Sequence, residues 1–292
     1  MVMRRSLLHR ISLHTMILTS PTTPGGSIPP SMYEHGPDIS RATWAAIGKR
    51  LYETEMAPVM TAATTDVISL RLDGRGFTRQ LKRLMQLGYF REGYSPEFTE
   101  IMRGVLKQVM TEYDAMCGYT HSDELTVLLP SQQFTGKHPY GGRRDKLTSL
   151  TASFTSQYFT RRLIAARPAL PLDVQILFDC RMAVWPDVLA AFDVVSWRAW
   201  DCCSNGVSTA VRNAHASKEV CNGHTGDKLA WLAAAGKLPL ADHEAYGTFF
   251  VNVNDVITEV KGPVLRNLKN GTIKLTADLV SLSQTWWENG VR

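Results

Sequence analysis

Two carboxylates, Asp73 and Asp123, stand where short apolar strands are expected to end or begin. An apolar, β-prone run over residues 67–72 stops at Asp73, and a second run over residues 125–129 starts just after Asp123. Because strand ends hold side chains on a rigid sheet, these carboxylates can converge although fifty residues separate them. Mg²⁺ prefers oxygen ligands, and two such ions roughly 3.5 to 4 Å apart perform in-line phosphoryl or nucleotidyl transfer. The pattern therefore predicts a metal site on a βαβ scaffold.

The segment that follows the first carboxylate, Gly74-Arg75-Gly76, suits a phosphate loop. Its glycines allow close approach of the backbone and expose amides, while Arg75 and Arg71 can neutralise phosphate charge. Each of the two acidic segments, taken alone, also fits a structure without a metal site. An Asp-Gly pair after a strand is typical of a turn, and the acidic pair that begins at Asp123 fits a helix N-cap or a hairpin turn. Only the combination favours a site.

The elements that must position these groups follow from apolar spacing. A short basic helix is expected over residues 78–87, and a longer helix begins at Ser95-Pro96, after which apolar side chains recur every three or four positions. The order strand, helices, strand, carboxylate turn, strand is the beginning of a ferredoxin-like fold with an antiparallel sheet. Further on, we predict a helix over residues 146–162, a strand over residues 174–178 and a helix from Pro186 toward Asn205. The fold class is therefore α/β (α+β), with added helices and a helical C-terminal portion.

Composition sets limits on the partners and the compartment. A formal charge of +5 and a pI near 9.0 favour a polyanionic partner. Five cysteines, an odd number, argue against a disulfide framework and for a reducing compartment. The apolar stretches near the N-terminus are interrupted by Arg10 and His14, which argues against a membrane helix.

The first 26 residues are basic and contain no acidic residue, which is typical of a mitochondrial transit peptide. A disordered tail on a cytoplasmic protein is the alternative, with Met32 as another start. A proline- and glycine-rich linker over residues 21–30 and an amphipathic helix over residues 40–56 follow. We therefore expect a transit peptide and linker over residues 1–31, a catalytic domain over residues 32–185, and a C-terminal portion of the same unit over residues 186–292.

Five motifs in order resemble the tRNA-His guanylyltransferase superfamily, which includes the guanylyltransferase-like 3′-to-5′ RNA polymerases. They are Leu72-Asp73-Gly74-Arg75-Gly76-Phe77, Gly118-Tyr119-Thr120-His121-Ser122-Asp123-Glu124, Arg143-Arg144 with Lys146, Phe178-Asp179-Cys180-Arg181, and Trp197-Arg198. The resemblance implies the palm of polymerases and nucleotidyl cyclases, and a late strand over residues 247–254. It also implies tRNA and nucleoside triphosphates as partners and a homotetramer.

The resemblance implies a role for particular residues. Two Mg²⁺ ions would be held by Asp73, Asp123 and the carbonyl of Gly74, with Glu124 as a further catalytic residue, and ATP or GTP would be the nucleotide substrate. The implied nucleotide-binding residues are Gly74, Arg75, Gly76, Phe77, Thr78, Ser122 and Asp123. The implied contacts with the triphosphate or the RNA 5′ end are Arg71, Arg143, Arg144, Lys146, Asn205 and Lys228.

One departure from the family pattern bears on the substrate. The guanylyltransferases carry a His-x-Asn-Asn element after the tryptophan and arginine, whereas here Asp201-Cys202-Cys203-Ser204-Asn205 stands there and the histidine is missing. The guanylyltransferase-like proteins also lack it, so the resemblance favours templated repair of tRNA 5′ ends over addition of a single G to tRNA-His. A nucleotidyl cyclase of the same palm class and a catalytically silent RNA-binding protein remain as alternatives.

Overall fold

The computed structural model describes residues 60–166, 170–171, 173–260, 264–267 and 272–274. All of them lie in one compact unit, Pro58–Arg292. The expected transit peptide, the linker and the helix over residues 40–56 lie outside the described residues. Within the described part of the chain, no helix is both long enough and apolar enough to cross a membrane.

A six-stranded antiparallel sheet forms the centre of this unit, in the order β4-β1-β3-β2-β5-β6. Its strands are β1 (Val67–Gly74), β2 (Cys117–His121), β3 (Glu124–Leu129), β4 (Phe178–Trp185), β5 (Thr248–Val253) and β6 (Val256–Val260). A separate two-stranded sheet pairs β7 (Val264–Asn267) with β8 (Thr272–Lys274). The predicted α/β class with an antiparallel sheet is confirmed.

Eight α-helices accompany the strands in the described residues, together with one 3₁₀ turn over Pro139–Gly142. They are α1 (Phe77–Gln86), α2 (Pro96–Glu112), α3 (Gln132–Thr135), α4 (Arg144–Ala166), α5 (Val188–Asn213), α6 (Lys218–Asn222), α7 (Thr225–Ala234) and α8 (Asp242–Tyr246). The predicted start of α2 is confirmed, since Ser95 accepts a hydrogen bond from the amide of Phe98 and proline occupies the first turn.

The sheet separates two apolar layers. Even-numbered residues of β1 such as Leu70 pack with α2, α4 and a group of phenylalanines, whereas Val67 packs with α5 on the opposite face. Since successive side chains of a strand point to opposite faces, Arg71 and Asp73 project toward the α5 side. Trp185 of β4 confirms this geometry, because its indole N–H donates to Ser69 Oγ at 2.8 Å on the same face.

Several predicted boundaries differ from the structure, and two of the wrong ones lie next to motif residues. The strand placed over residues 174–178 begins at Phe178 and runs to Trp185, so that Asp179 and Arg181 lie within it rather than after it. The helix predicted to start at Pro186 begins two residues later, because the Asp187 carboxylate caps it by accepting from the amide of Ala190 at 2.8 Å. The C-terminal portion is helical as far as Tyr246 and then adds β5 and β6 to the sheet.

Candidate active site

The sheet brings the predicted carboxylates to one end. Asp73, next to last in β1, is the register partner of Glu124 on β3 and of Asp179 on β4. β2 and β3 are joined by a two-residue turn, Ser122-Asp123, in which Ser122 has a φ of 51°. The hairpin turn therefore places Asp123 beside the end of β1, as the strand-end argument expects.

The two carboxylates repel each other. Burial raises the pKa of Asp123, and the nearby charge of Asp73 raises it further, whereas a hydrogen bond from Ser122 Oγ to Asp123 Oδ1 at 3.0 Å acts in the opposite direction. Neither Asp73 nor Asp123 forms a salt bridge with another residue that the structure describes. A half-buried pair of like charges with carboxylate oxygens and no counter-ion suits a hard divalent cation, so the residues present fit Mg²⁺.

The loop after Asp73 joins β1 to α1 with exposed backbone donors. Gly76 is the N-cap of α1, and the first intrahelical bond is donated by the amide of Arg79 to Gly76 O at 3.1 Å. The amides of Phe77 and Thr78 precede that bond, and such amides at a helix N-terminus favour phosphate. The Phe77 ring is only 3% exposed and packs 5.1 Å from the ring of Phe178. Phe77 can therefore contact a nucleotide through its backbone alone.

This loop requires glycine at two positions for different physical reasons, so the two alanine variants should differ in stability. A Cβ on Gly74 would lie 2.2 Å from a ring carbon of buried Phe77, so Gly74→Ala must displace the ring from the core. Gly76 has open space around its Cβ position but a φ of 62°, so Gly76→Ala costs about 1 kcal/mol. We expect chemical denaturation to show a loss of unfolding free energy at least twice as large for Gly74→Ala. Equal losses would contradict the packing argument.

Glu124 is paired with a buried arginine from α5. Arg198 is 6% exposed and forms salt bridges with Glu124 and, at 3.3 Å, with Asp201. Glu124 therefore has a cationic partner, which gives it a supporting position behind the two aspartates. Sequence reasoning noted Arg198 in a motif but gave it no role. The signal that could have found it is an arginine whose nearest neighbours on the helix, Trp197, Ala199 and Trp200, are apolar.

Asn205 on α5 and Lys228 on α7 extend the candidate site on the side of Arg198. Asn205 lies one helical turn after Asp201, to which its amide donates at 3.4 Å. Lys228 on α7 donates to Ser208 Oγ at 3.0 Å, one turn further from the carboxylates along α5. Two of the six residues predicted to contact the triphosphate or RNA, Asn205 and Lys228, are thus positioned by α5, and Asn205 is the nearer to Arg198.

His121, which sequence reasoning left without a role, fixes the hairpin beside the site. Its ring nitrogen Nε2 lies 3.1 Å from Glu244 O, and Gly206 on α5 lies so close to that carbonyl that a Cβ there would come within 2.3 Å of the oxygen. Burial lowers the pKa of His121, and the charge of Arg198 also acts in that direction. A neutral His121 therefore joins β2, α5 and α8 at the carboxylate end of the sheet.

The basic segment over residues 143–146 lies elsewhere. Arg143 forms a β-bridge with Thr61, and Arg144 Nη2 donates to Met182 O at 3.3 Å. Met182 is the register partner of Leu70, three residues before Asp73 and so about 10 Å away along the strand. Because α4 begins near this position, the structure separates Arg143, Arg144 and Lys146 from the carboxylates.

Known proteins resemble a central part of the chain. Residues 49–186 match the family model described as tRNAHis guanylyltransferase. The tRNA(His) guanylyltransferase of Saccharomyces cerevisiae is 25% identical over 138 residues, which cover 46% of this chain and 55% of that protein. This part of the chain is therefore similar to the tRNA-His guanylyltransferase superfamily. The chain spans about half the length of the curated relatives it matches.

Solved structures of superfamily proteins share the fold over a longer stretch. A bacterial tRNA(His) guanylyltransferase-like protein in complex with ATP superposes with a TM-score of 0.64 at 20% identity, covering 73% of this chain and 91% of that one. A complex of a bacterial guanylyltransferase-like protein with GTP gives a TM-score of 0.56 at 17% identity, covering 82% and 96%. The superfamily match contains β1 to β4 with both aspartates, whereas the structural likeness also extends over residues after the match ends.

Proposed function

We propose that the protein is a Mg²⁺-dependent nucleotidyltransferase that adds nucleotides to the 5′ end of tRNA in the 3′-to-5′ direction. The observation that carries this proposal is the pair Asp73 and Asp123, which has no salt-bridge partner among the described residues, beside a glycine loop that opens a helix. The match to the tRNAHis guanylyltransferase family model supports tRNA as the substrate, and the similar solved structures with ATP and GTP support both as nucleotide substrates. A homotetramer and a mitochondrial location are further parts of the proposal.

The chemistry has two steps. In the first, a 5′-monophosphate oxygen of the RNA attacks the α-phosphorus of ATP or GTP and pyrophosphate leaves. In the second, the 3′-hydroxyl of the incoming nucleotide attacks the activated 5′-phosphate and the nucleoside monophosphate leaves. A triphosphorylated 5′ end can enter the second step directly, with pyrophosphate as the leaving group.

The residues of the site divide this work. Asp73, Asp123 and the carbonyl of Gly74 would hold Mg²⁺, which supplies charge neutralisation for the triphosphate and activation of the attacking hydroxyl. The amides of Phe77 and Thr78 orient phosphate oxygens at the start of α1. Arg198 fixes the carboxylate of Glu124, the register partner of Asp73.

Templated repair of truncated tRNA is the version we favour over addition of a single G. In the guanylyltransferase pattern a histidine lies in the element that Asp201 begins here, and in this chain Asp201 is bound by Arg198 and Asn205 instead. Two interactions of the Asp201 carboxylate therefore occupy the place where specialised recognition of tRNA-His would need an imidazole. It supports a broader choice of tRNA.

The deciding experiment compares 5′-truncated and full-length tRNA transcripts with labelled nucleotides and Mg²⁺. Extension of truncated tRNA to match the opposite strand supports templated repair, and chelation of Mg²⁺ should abolish it. Addition of one G to tRNA-His alone would favour the specialised guanylyltransferase. Release of a cyclic nucleotide without RNA would identify a cyclase, and binding of RNA without any incorporation would identify a silent binder.

Two simpler measurements test the remaining parts. Analytical ultracentrifugation of the full chain should give the mass of four copies, and a monomer would refute the tetramer. Residues 1–30 fused to a fluorescent reporter should direct it to mitochondria. A reporter that stays cytosolic would refute the mitochondrial location and leave the cytoplasmic alternative.

A further inference from the structure

A cavity of about 410 Å³ opens at the end of α2, away from the candidate active site. Its lining includes Tyr113, Tyr140, Lys137 and Glu112. From Tyr113 the chain enters β2 and reaches Asp123 only after the whole strand, whose five residues span about 16 Å. The cavity and the carboxylates therefore lie at opposite ends of the same strand.

An exposed aromatic ring stands at this cavity. The side chain of Tyr140 is 41% exposed, and its ring lies 6.3 Å from the ring of Tyr113 at an interplanar angle of 69°. Tyr140 also has a φ of 51°, a left-handed conformation that is rare for a bulky residue and concentrates at functional sites. Tyr113 is itself buried, and burial raises its pKa to about 12, so its hydroxyl stays neutral.

The segment that carries Tyr140 is fixed to the body of the protein. His138 is 1% exposed, its Nε2 lies 3.1 Å from Asp66 O, and its Nδ1 lies 3.3 Å from the side-chain nitrogen of Gln132. The amide of Gly141 donates to His138 O at 3.1 Å. The cavity wall is thus held in place before any ligand arrives, which lowers the entropic cost of binding.

The lining of the cavity includes a cation. Lys137 is exposed at its rim, and Lys146 is exposed in the first turn of α4, on the same basic segment that the fold separates from Asp73. An aromatic face beside exposed cations is the combination that binds unpaired nucleotides, since a base stacks on the ring while phosphates contact the cations. Glu112 adds an acceptor for an exocyclic amino group.

We propose that this cavity binds an unpaired base of the RNA substrate, stacked on Tyr140, and that the base comes from the 3′ tail of a tRNA. The proposal rests on the proposed function, since that function supplies an RNA whose 5′ end lies at Asp73. A tRNA has an unpaired 3′ tail that starts beside its paired 5′ end. A few extended nucleotides of that tail cover the length of β2, so both ends of the sheet are occupied by one RNA.

The test measures equilibrium binding of labelled tRNA to the full chain without Mg²⁺ or nucleotide, using transcripts with and without the 3′ tail. Tyr140→Ala should weaken binding of tailed RNA about tenfold and leave tail-less RNA unchanged. Tyr140→Phe, which keeps the ring, and Leu150→Ala, which removes a 42% exposed side chain from neighbouring α4, should bind like the wild type. Lys137→Glu is a second variant that should also weaken tailed RNA, with Lys237→Glu as its control.

Two results would overturn the proposal: unchanged binding of tailed RNA by Tyr140→Ala and Lys137→Glu, or equal weakening for both transcripts, which would place another part of the RNA there. Circular dichroism of each variant separates loss of the site from loss of the fold. Because the assay needs no turnover, it is independent of the proposed function. Wild-type protein that binds tailed RNA through Tyr140 but adds no nucleotide would refute the proposed function and leave the cavity assignment standing.

Discussion

Asp123→Asn is expected to lower the rate of nucleotide addition about a thousandfold, because it removes a ligand of the proposed metal site. A bound divalent ion contributes several kcal/mol of transition-state stabilisation, and about 4 kcal/mol corresponds to this factor. Asp73→Asn should have a similar effect. The measurement is single-turnover extension of truncated tRNA at saturating Mg²⁺.

The same substitution should not destabilise the protein when Mg²⁺ is absent. Because burial and Asp73 raise the pKa of Asp123 in the folded state, its ionised form opposes folding at neutral pH. This penalty disappears as the pH falls below the ordinary aspartate pKa of about 3.9. Asp123→Asn should therefore equal or exceed the wild type in unfolding free energy at pH 7, with the difference shrinking toward pH 4. Mg²⁺ should raise the melting temperature of the wild type only.

The matched control is Asp173→Asn. Asp173 is a surface carboxylate, with its side chain 63% exposed and 3.4 Å from Arg83. Exposed pairs of this kind contribute little, so both activity and metal-dependent stabilisation should stay at wild-type values. An Asp123→Asn enzyme that kept more than a tenth of the activity would contradict the metal-ligand assignment.

Arg198→Met is expected to cause the largest loss of stability. The substitution leaves Glu124 and Asp201 without their buried counter-charge, and breaking a buried ion pair from one side costs about 3–5 kcal/mol. For a unit of this size the melting temperature should fall by roughly 10 °C or more. Thermal unfolding followed by circular dichroism measures the change.

A double variant identifies the cause. Arg198→Met combined with Glu124→Gln removes charge from both sides of the pair, so it should recover part of the stability lost in the single variant. Arg181→Met is the exposed control, because Arg181 pairs with Asp179 at 3.8 Å and its side chain is 63% exposed. If Arg198→Met and Arg181→Met melted alike, the buried pair would have no special role.

The sequence predicted those parts of the fold in which a local residue pattern is compatible with only one secondary-structure element. Apolar runs that stop at a carboxylate defined the ends of β1 and β3 within two residues. A Ser-Pro start followed by helical spacing defined α2. Both patterns involve residues close together in the sequence, so the candidate residues and the secondary-structure elements that carry them could be predicted together.

The strand β4 shows where this reasoning failed. Val174 and Ile176 are buried and gave an apolar pattern, but they lie in the loop that leads into the strand. β4 itself alternates polar and apolar residues because it is an edge strand with an exposed face. Alternating apolar residues indicate burial, and a loop packed against the core can show the same pattern as a strand.

The sequence predicted the residue types of the candidate site but only part of their spatial arrangement. The aspartates met because neighbouring strands brought them together, whereas the ion pair of Arg198 with Glu124 joins residues 74 positions apart on different elements. The basic residues Arg143 and Arg144 followed the motif order, yet they lie beside Thr61 and Met182, away from the carboxylates. Motif order in a chain carries no information about distance across a sheet.

The order of strands also governs how the molecule is made. β2 has β3 on one side and β5 on the other, and β5 begins only at Thr248, after all of the long helical stretch. At about 5–20 residues per second, a ribosome takes roughly 6 to 25 s to pass from the end of β2 to the start of β5. Throughout that interval the nascent sheet has an open edge with unpaired backbone groups, which is the form of the protein most prone to pair with another chain.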